Sequence, residues 1–148
     1  MTKPVVLFDI DGTLADIRHR RPFLNGKNPD WKSFNSLMGN DEKNRPVVEL
    51  YTTLWETKKY ELILVSGRSE DQRQVTEQWL FWNEIPFSKL MLRPSKDFRP
   101  DTEIKKEILD KLLMENKNIL FVVDDRQSVV DMWRENGITC LQCDVGDF

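Results

Sequence analysis

Cysteine and histidine are nearly absent from this chain. Cys140 and Cys143 are its two cysteines and His19 its one histidine in 148 residues. That set is too small for a zinc site, which takes four N or S ligands. The two thiols fall three positions apart on an expected strand, where side chains point to opposite faces. They read as reduced thiols of a cytosolic protein. No apolar run approaches the length that crosses a bilayer, so no membrane association is expected. Met1-Thr2-Lys3-Pro4 runs directly into an apolar segment, so no leader is expected either. Positive charge is not in excess. A net charge of −3 provides no global basic field for long nucleic acid, so any such contact has to be local. The phosphate loop G-x-x-x-x-G-K-S/T is missing, which leaves kinase chemistry of that type unsupported. Internal repeats, low-complexity tracts and long linkers are missing as well.

What remains is a balanced globular composition, 39% hydrophobic and 32% charged, which suits a packed core and not disorder. The length predicts one domain over 1–148. Val5 to Phe8 is a continuous apolar run that reads as a strand buried on both sides. Further strands are expected at Glu61–Val65, Lys89–Leu92, Ile119–Val123 and Ile138–Cys143. Helices are expected near Asp30–Met38, from Pro46 to about Lys59, from a Ser69/Gln72 capping box to Ile85-Pro86, from Asp101 to about Asn116, and over 126–136. Asp101 is expected to cap its helix. Trp79, Trp82 and Trp133 read as core, and Val47, Leu50, Tyr51, Leu54 and Trp55 as the inward stripe of one helix. Residues 17–45 differ in character, with Arg18-His19-Arg20-Arg21, Pro22, Gly26 and Pro29, and read as a small cap or insertion after the first strand. Within it Trp31, Phe34, Leu37 and Met38 share a helical stripe, which means packing or a stacking surface for a base.

Strands that alternate with helices predict an α/β fold with a parallel sheet covered on both faces. Ligands of such sheets sit beyond the carboxyl ends of the strands. Polar residues recur at those ends: Asp9 and Asp11, Ser66 and Arg68, Arg93, and Asp124-Asp125. One site is therefore predicted, with four carboxylates, a hydroxyl, and the cations Arg68, Arg93 and Lys105. Four carboxylates cannot stay ionised together without a counter-charge. Oxygen ligands without a Cys/His set point to Mg²⁺, which shares its sphere with phosphate. This is an inventory for phosphoryl transfer. Asp9 is the expected nucleophile, forming an aspartyl-phosphate. Asp11 is the expected acid and base, with a pKa raised by its proximity to Asp9. Arg20 is expected to meet a phosphate of the substrate, while Arg18 and His19 are given no role.

Asp9-Ile-Asp11-Gly-Thr13, Ser66, Lys105 and Asp124-Asp125, in that order, resemble the four motifs of the haloacid dehalogenase-like phosphohydrolases. The resemblance implies a Rossmann-like three-layer α/β/α sandwich with the first strand central. It implies that Ser66 binds a phosphoryl oxygen, that Lys105 neutralises nucleophile and phosphate, and that Asp124, Asp125 or both hold Mg²⁺ with Asp9 and Asp11. Val65-Ser66-Gly67-Arg68, Asp97-Phe-Arg99-Pro-Asp101, Asp124 to Arg134 and the ending Gly146-Asp147-Phe148 resemble, more closely, the 3′-phosphatase domains of phage polynucleotide kinases. Arg20, Arg68 and Asp101 match functional positions there. The implied substrate is a 3′-phosphate on a DNA or RNA end, with Mg²⁺ as cofactor and the cytoplasm, of a host cell if the protein is phage-encoded, as the compartment. The kinase half has no counterpart in the sequence, and the stretch after Arg68 is shorter than in the phage enzymes. A separate kinase or ligase partner and a homodimer are compatible with the resemblance. A nucleotidase and a binding module on an inactive phosphatase scaffold are the competing readings.

Overall fold

The structure is a computed structural model that describes residues 2–146; the Asp147-Phe148 part of the resemblance lies outside the described residues. Five strands form one parallel sheet: β1 (Val5–Phe8), β4 (Glu61–Ser69), β5 (Lys89–Arg93), β6 (Ile119–Arg126) and β7 (Cys140–Gly146), in the order β5-β4-β1-β6-β7. The first strand is central, flanked by β4 and β6. Two further strands, β2 (Ala15–Asp16) and β3 (Glu42–Lys43), pair antiparallel outside it.

Alternation within the apolar runs decides which layer each side chain joins. Val6 and Phe8, with Leu62 and Leu64, enter one core, and Val5 and Leu7, with Ile63 and Val65, enter the other. The first core is covered by α2 (Arg45–Thr57), through Val48 and Tyr51, and by α3 (Arg73–Trp82), through Trp79 and Leu80. The second is covered by α4 (Asp101–Met114), through Ile104, Ile108, Leu109 and Leu112, and by α5 (Gln127–Glu135), through Val129, Val130 and Trp133. Each such buried side chain contributes about 1.5–3 kcal/mol. Tyr51 meets the Phe8 ring edge-on at 5.0 Å and donates its hydroxyl to the Pro86 carbonyl at 2.6 Å. Cys140 and Cys143 enter opposite cores, as their spacing predicts.

The insertion after β1 is held by the β2–β3 ribbon and contains α1 (Trp31–Ser36), capped by the Asp30 carboxylate on the Ser33 amide at 3.0 Å, between 3-10 turns at Arg21–Leu24 and Met38–Asn40. The Ser69/Gln72 box forms and starts the turn that leads into α3. Two helix readings are corrected. Trp82 is 82% exposed, because it lies two residues beyond inward-facing Leu80 and so about 200° around the helix. Leu50 is likewise exposed, the inward place being taken by Val48. Among the described residues no helix is long and apolar enough to cross a membrane.

Candidate active site

Strands β4 and β6 run on past their apolar stretches, so Ser66 to Ser69 and Asp124 to Arg126 are still in strand conformation when they reach the sheet edge. There the strand ends open on a cleft of about 740 Å³. Asp9, Asp11, Gly67, Arg68, Arg93, Asp101, Lys105, Asp124 and Asp125 line it, whereas Ser66 and Arg20 are fully buried. Ser66 Oγ accepts the Arg68 amide at 3.1 Å, which fixes the turn of β4 beside the cleft.

The floor is an acidic cluster. Asp9, Asp124 and Asp125 each offer an oxygen within 4.8 Å of the others, all buried. Lys105, five residues into α4, reaches in from the second core and donates to Asp9 at 2.9 Å and Asp124 at 3.0 Å. Burial disfavours its charge, but Asp124 and Asp9 outweigh burial and hold it protonated. Asp124 is oriented further by the Asp125 amide at 2.8 Å and the Trp133 indole at 3.2 Å. Thr13 donates to Asp9 at 3.1 Å. Burial, then the charge of Asp124, push Asp9 well above the usual carboxylate range, and Lys105 offsets only part of this. Three carboxylates against Lys105 and the more distant Arg21, 3.7 Å from Asp125, leave the cluster short of positive charge.

That shortage fits a divalent cation. The buried Oδ2 of Asp125 accepts no hydrogen bond, and its charged neighbour Arg21 stands 3.7 Å away. Gly12, at φ +83°, leaves the space: a Cβ there would lie 2.1 Å from that same oxygen. Asp9, Asp124 and Asp125 are the residues whose oxygens could hold a hard divalent cation such as Mg²⁺.

Asp11 lies outside this set and belongs to a second system. Its carboxylate takes Arg68 at 2.6 Å and Arg20 at 2.6 Å. Beneath them is Asp41, buried, which binds Arg20 at 2.6 Å, Arg68 at 3.3 Å and His19 at 2.6 Å. Arg68 also donates to Thr76 at 3.0 Å, and the Arg20 guanidinium stacks 4.4 Å from the Phe34 ring centre. Burial works to raise the Asp11 pKa, but Arg68 and Arg20 outweigh it, and the net direction is down. This corrects the expectation of a raised pKa: the two guanidinia are closer partners of Asp11 than Asp9 is. Arg20 is also corrected, from a group facing substrate to a buried support of Asp11.

A third arrangement forms the rim. Arg93 donates to the Gly67 carbonyl at 2.8 Å, to the carbonyls of Asp97 and Arg99, and to the Asp101 carboxylate. Asp101 pairs with Arg126 at 3.0 Å as well. It is the first residue of α4 and does not cap it; Pro100 holds the cap position. Arg93 thus organises the rim instead of presenting a free guanidinium. Asp41, Arg21 and Arg126 escaped the sequence reading. Asp41 carried one usable signal, a carboxylate a single residue before the ribbon strand that pairs with the end of the Asp9-to-Asp16 turn.

A family model described as the polynucleotide kinase PNKP phosphatase domain matches residues 3–148. The chain belongs to this family. It is 30% identical over 131 residues to a protein of Autographa californica nuclear polyhedrosis virus named as a bifunctional polynucleotide kinase/RNA ligase, covering 88% of this chain and 18% of the viral one. Among solved structures, a chain of a Pnkp1/Rnl/Hen1 RNA repair complex superimposes with a TM-score of 0.84 at 33% identity, covering 99% of this chain and 44% of that one. The chain thus spans less than half the length of these relatives. A haloacid dehalogenase-like hydrolase of Streptococcus pneumoniae, 16% identical, shares the fold with a TM-score of 0.61 over 95% of this chain and 84% of that one.

Proposed function

We propose that this domain, 1–148, is a Mg²⁺-dependent phosphatase that removes the 3′-phosphate from DNA or RNA ends through an aspartyl-phosphate. The observation that carries the reading is the separation of Asp9, which sits with Lys105 in the acidic cluster, from Asp11, which sits under two arginines, on the floor of one cleft. An Asp9 oxygen attacks phosphorus, the P–O3′ bond breaks, and Asp11 gives its proton to the departing oxygen. Water then attacks the phosphorus of the aspartyl-phosphate, Asp11 takes the water proton, and orthophosphate leaves. Asp9, Asp124 and Asp125 would hold Mg²⁺, which would supply charge neutralisation of the phosphoryl oxygens. Lys105 adds to it and keeps the Asp9 carboxylate aimed.

The arginine pair favours ionised Asp11 in the ligand-free state. An incoming phosphate dianion competes for Arg68, weakens that pair and raises the proton affinity of Asp11 when an acid is needed. Ser66 and the Gly67 backbone are the proposed phosphate contacts beside it. The names of the relatives support the polynucleotide end as substrate, and a kinase or ligase, on this chain or another, as the partner activity; the cytoplasm is the proposed compartment. The test is phosphate release from 3′-phosphorylated and 5′-phosphorylated oligonucleotides and from mononucleotides, with Mg²⁺ and with Asp9→Asn as blank. Release from the 3′-phosphorylated oligonucleotide alone is expected. Equal or faster turnover of mononucleotides would replace the reading with a nucleotidase.

A further inference from the structure

Two large aromatic side chains stand exposed in the wall of the catalytic cleft. Trp31, on α1, is 53% exposed, and Phe98, on the loop between β5 and α4, is 93% exposed. Exposed aromatics occur elsewhere on the surface, as at Trp82, but these two share the lining of the cleft that holds Asp9 and Asp11. Neither is loosely placed. Trp31 meets Phe34 edge-to-face at 5.6 Å and 85°, and Phe34 in turn lies against the Arg20 guanidinium that supports Asp11. The orientation of the Trp31 ring is therefore tied to the floor of the site. Phe98 sits between Asp97 and Arg99, whose carbonyls are both held by Arg93, so its backbone is anchored on each side.

We infer that Trp31 and Phe98 are stacking surfaces for unpaired nucleobases next to the phosphate under attack. This rests on the proposed function. The occupant is set by the cleft itself: a ligand whose phosphate is at Asp9 extends along the wall that carries these rings, and a nucleobase offers the flat π face that tryptophan and phenylalanine take up without regard to sequence. Lys96, exposed in the same wall, supplies a cation for a neighbouring phosphodiester. The acidic chain thus has a local means of holding a single-stranded end without a basic surface.

The test compares kcat and KM of the wild type, Trp31→Ala, Trp31→Phe and Phe98→Ala on two substrates: a 3′-phosphorylated single-stranded oligonucleotide, and the same oligonucleotide with abasic terminal and penultimate nucleosides. Thermal melting of each variant controls for folding. Each alanine variant is expected to lose about tenfold in kcat/KM on the intact substrate, through KM. The loss should vanish on the abasic substrate, and Trp31→Phe should keep most of the wild-type value. Equal losses on both substrates, or no loss on the intact one, overturn the stacking sites while leaving the phosphatase reading in place. A wild type that hydrolyses glycerol phosphate but no 3′-phosphorylated oligonucleotide overturns the polynucleotide 3′-end as substrate and the stacking sites with it.

Discussion

Two carboxylate systems begin two residues apart in sequence and differ in charge balance, one net negative and the other neutralised. Around Asp9, three carboxylates share Lys105 and, at 3.7 Å from Asp125, Arg21. Around Asp11, two carboxylates, Asp11 and Asp41, are matched by two arginines, Arg20 and Arg68. The first is left net negative and open to a cation; the second is already neutralised, which suits the proposed proton-transfer role of Asp11. A D-x-D turn alone does not distinguish its two acids. The difference comes from what the insertion and β4 bring to one of them and what α4 and β6 bring to the other.

The comparison can be broken most severely at Asp9. Asp9→Asn removes the proposed nucleophile and should lower phosphate release by about 10⁴-fold or more, with the fold kept, since the amide oxygen still accepts from Lys105 while Thr13 turns its hydroxyl to Asp125 and accepts from the amide NH2. Asp11→Asn should cost about 10²–10⁴-fold in kcat while Mg²⁺ still binds, seen as a retained rise in melting temperature on adding the metal. That rise is itself expected for the wild type. At 100 times its dissociation constant Mg²⁺ should stabilise by about 2.7 kcal/mol, EDTA should abolish both the rise and turnover, and Asp125→Asn should lose most of the rise. Asp41→Asn uncouples the second system from its counter-charge. It should destabilise by about 3 kcal/mol in denaturant titration, by leaving two buried guanidinia under-compensated, and should lower kcat through a misplaced Arg68.

The smallest effect sharpens the electrostatic contrast at the rear of the cluster. Burial pushes Cys143 up to about 12 and Cys140 up to about 11. Their folded pKa values exceed that of a free thiol, so this contribution to stability is complete below about pH 8.5 and is lost as pH rises through 11–12. Alkylation by iodoacetamide at pH 8.5 should accordingly run more than about tenfold slower than for a free thiol.

The sheet and the strand-end chemistry were legible because both are written in short windows. Val5–Phe8, Glu61–Val65 and Ile119–Val123 are apolar runs that stop at polar residues, and a parallel sheet brings all such stops to one edge. Membership of the site could be read that way, but partnership could not. The pairing of Asp41 with Arg20 and Arg68 spans 21 and 27 residues and crosses an insertion with little periodicity. The pairing of Asp11 with Arg20 and Arg68 belongs to the same network, so the downward direction of its pKa follows from contacts that no short window of sequence displays. Asp101 looked like a cap because a carboxylate near a helix start suits one. Its charge was claimed instead by Arg93 and Arg126, which arrive from two different strands.

The rim has a consequence for how freely this sequence can vary. Asp101 passes so near Gly67 that a Cβ at position 67 would lie 2.4 Å from its carboxylate. Any larger residue there forces the Asp101 carboxylate to shift, which strains its pairs with Arg93 and Arg126 and so the contacts that tie the ends of β5 and β6 to the start of α4. Lys105 stands about one helical turn further on. The missing methyl group at Gly67 is thus a spacing gauge for the opposite side of the cleft. A change at 67 is expected to be better tolerated when the 101 position is shortened with it.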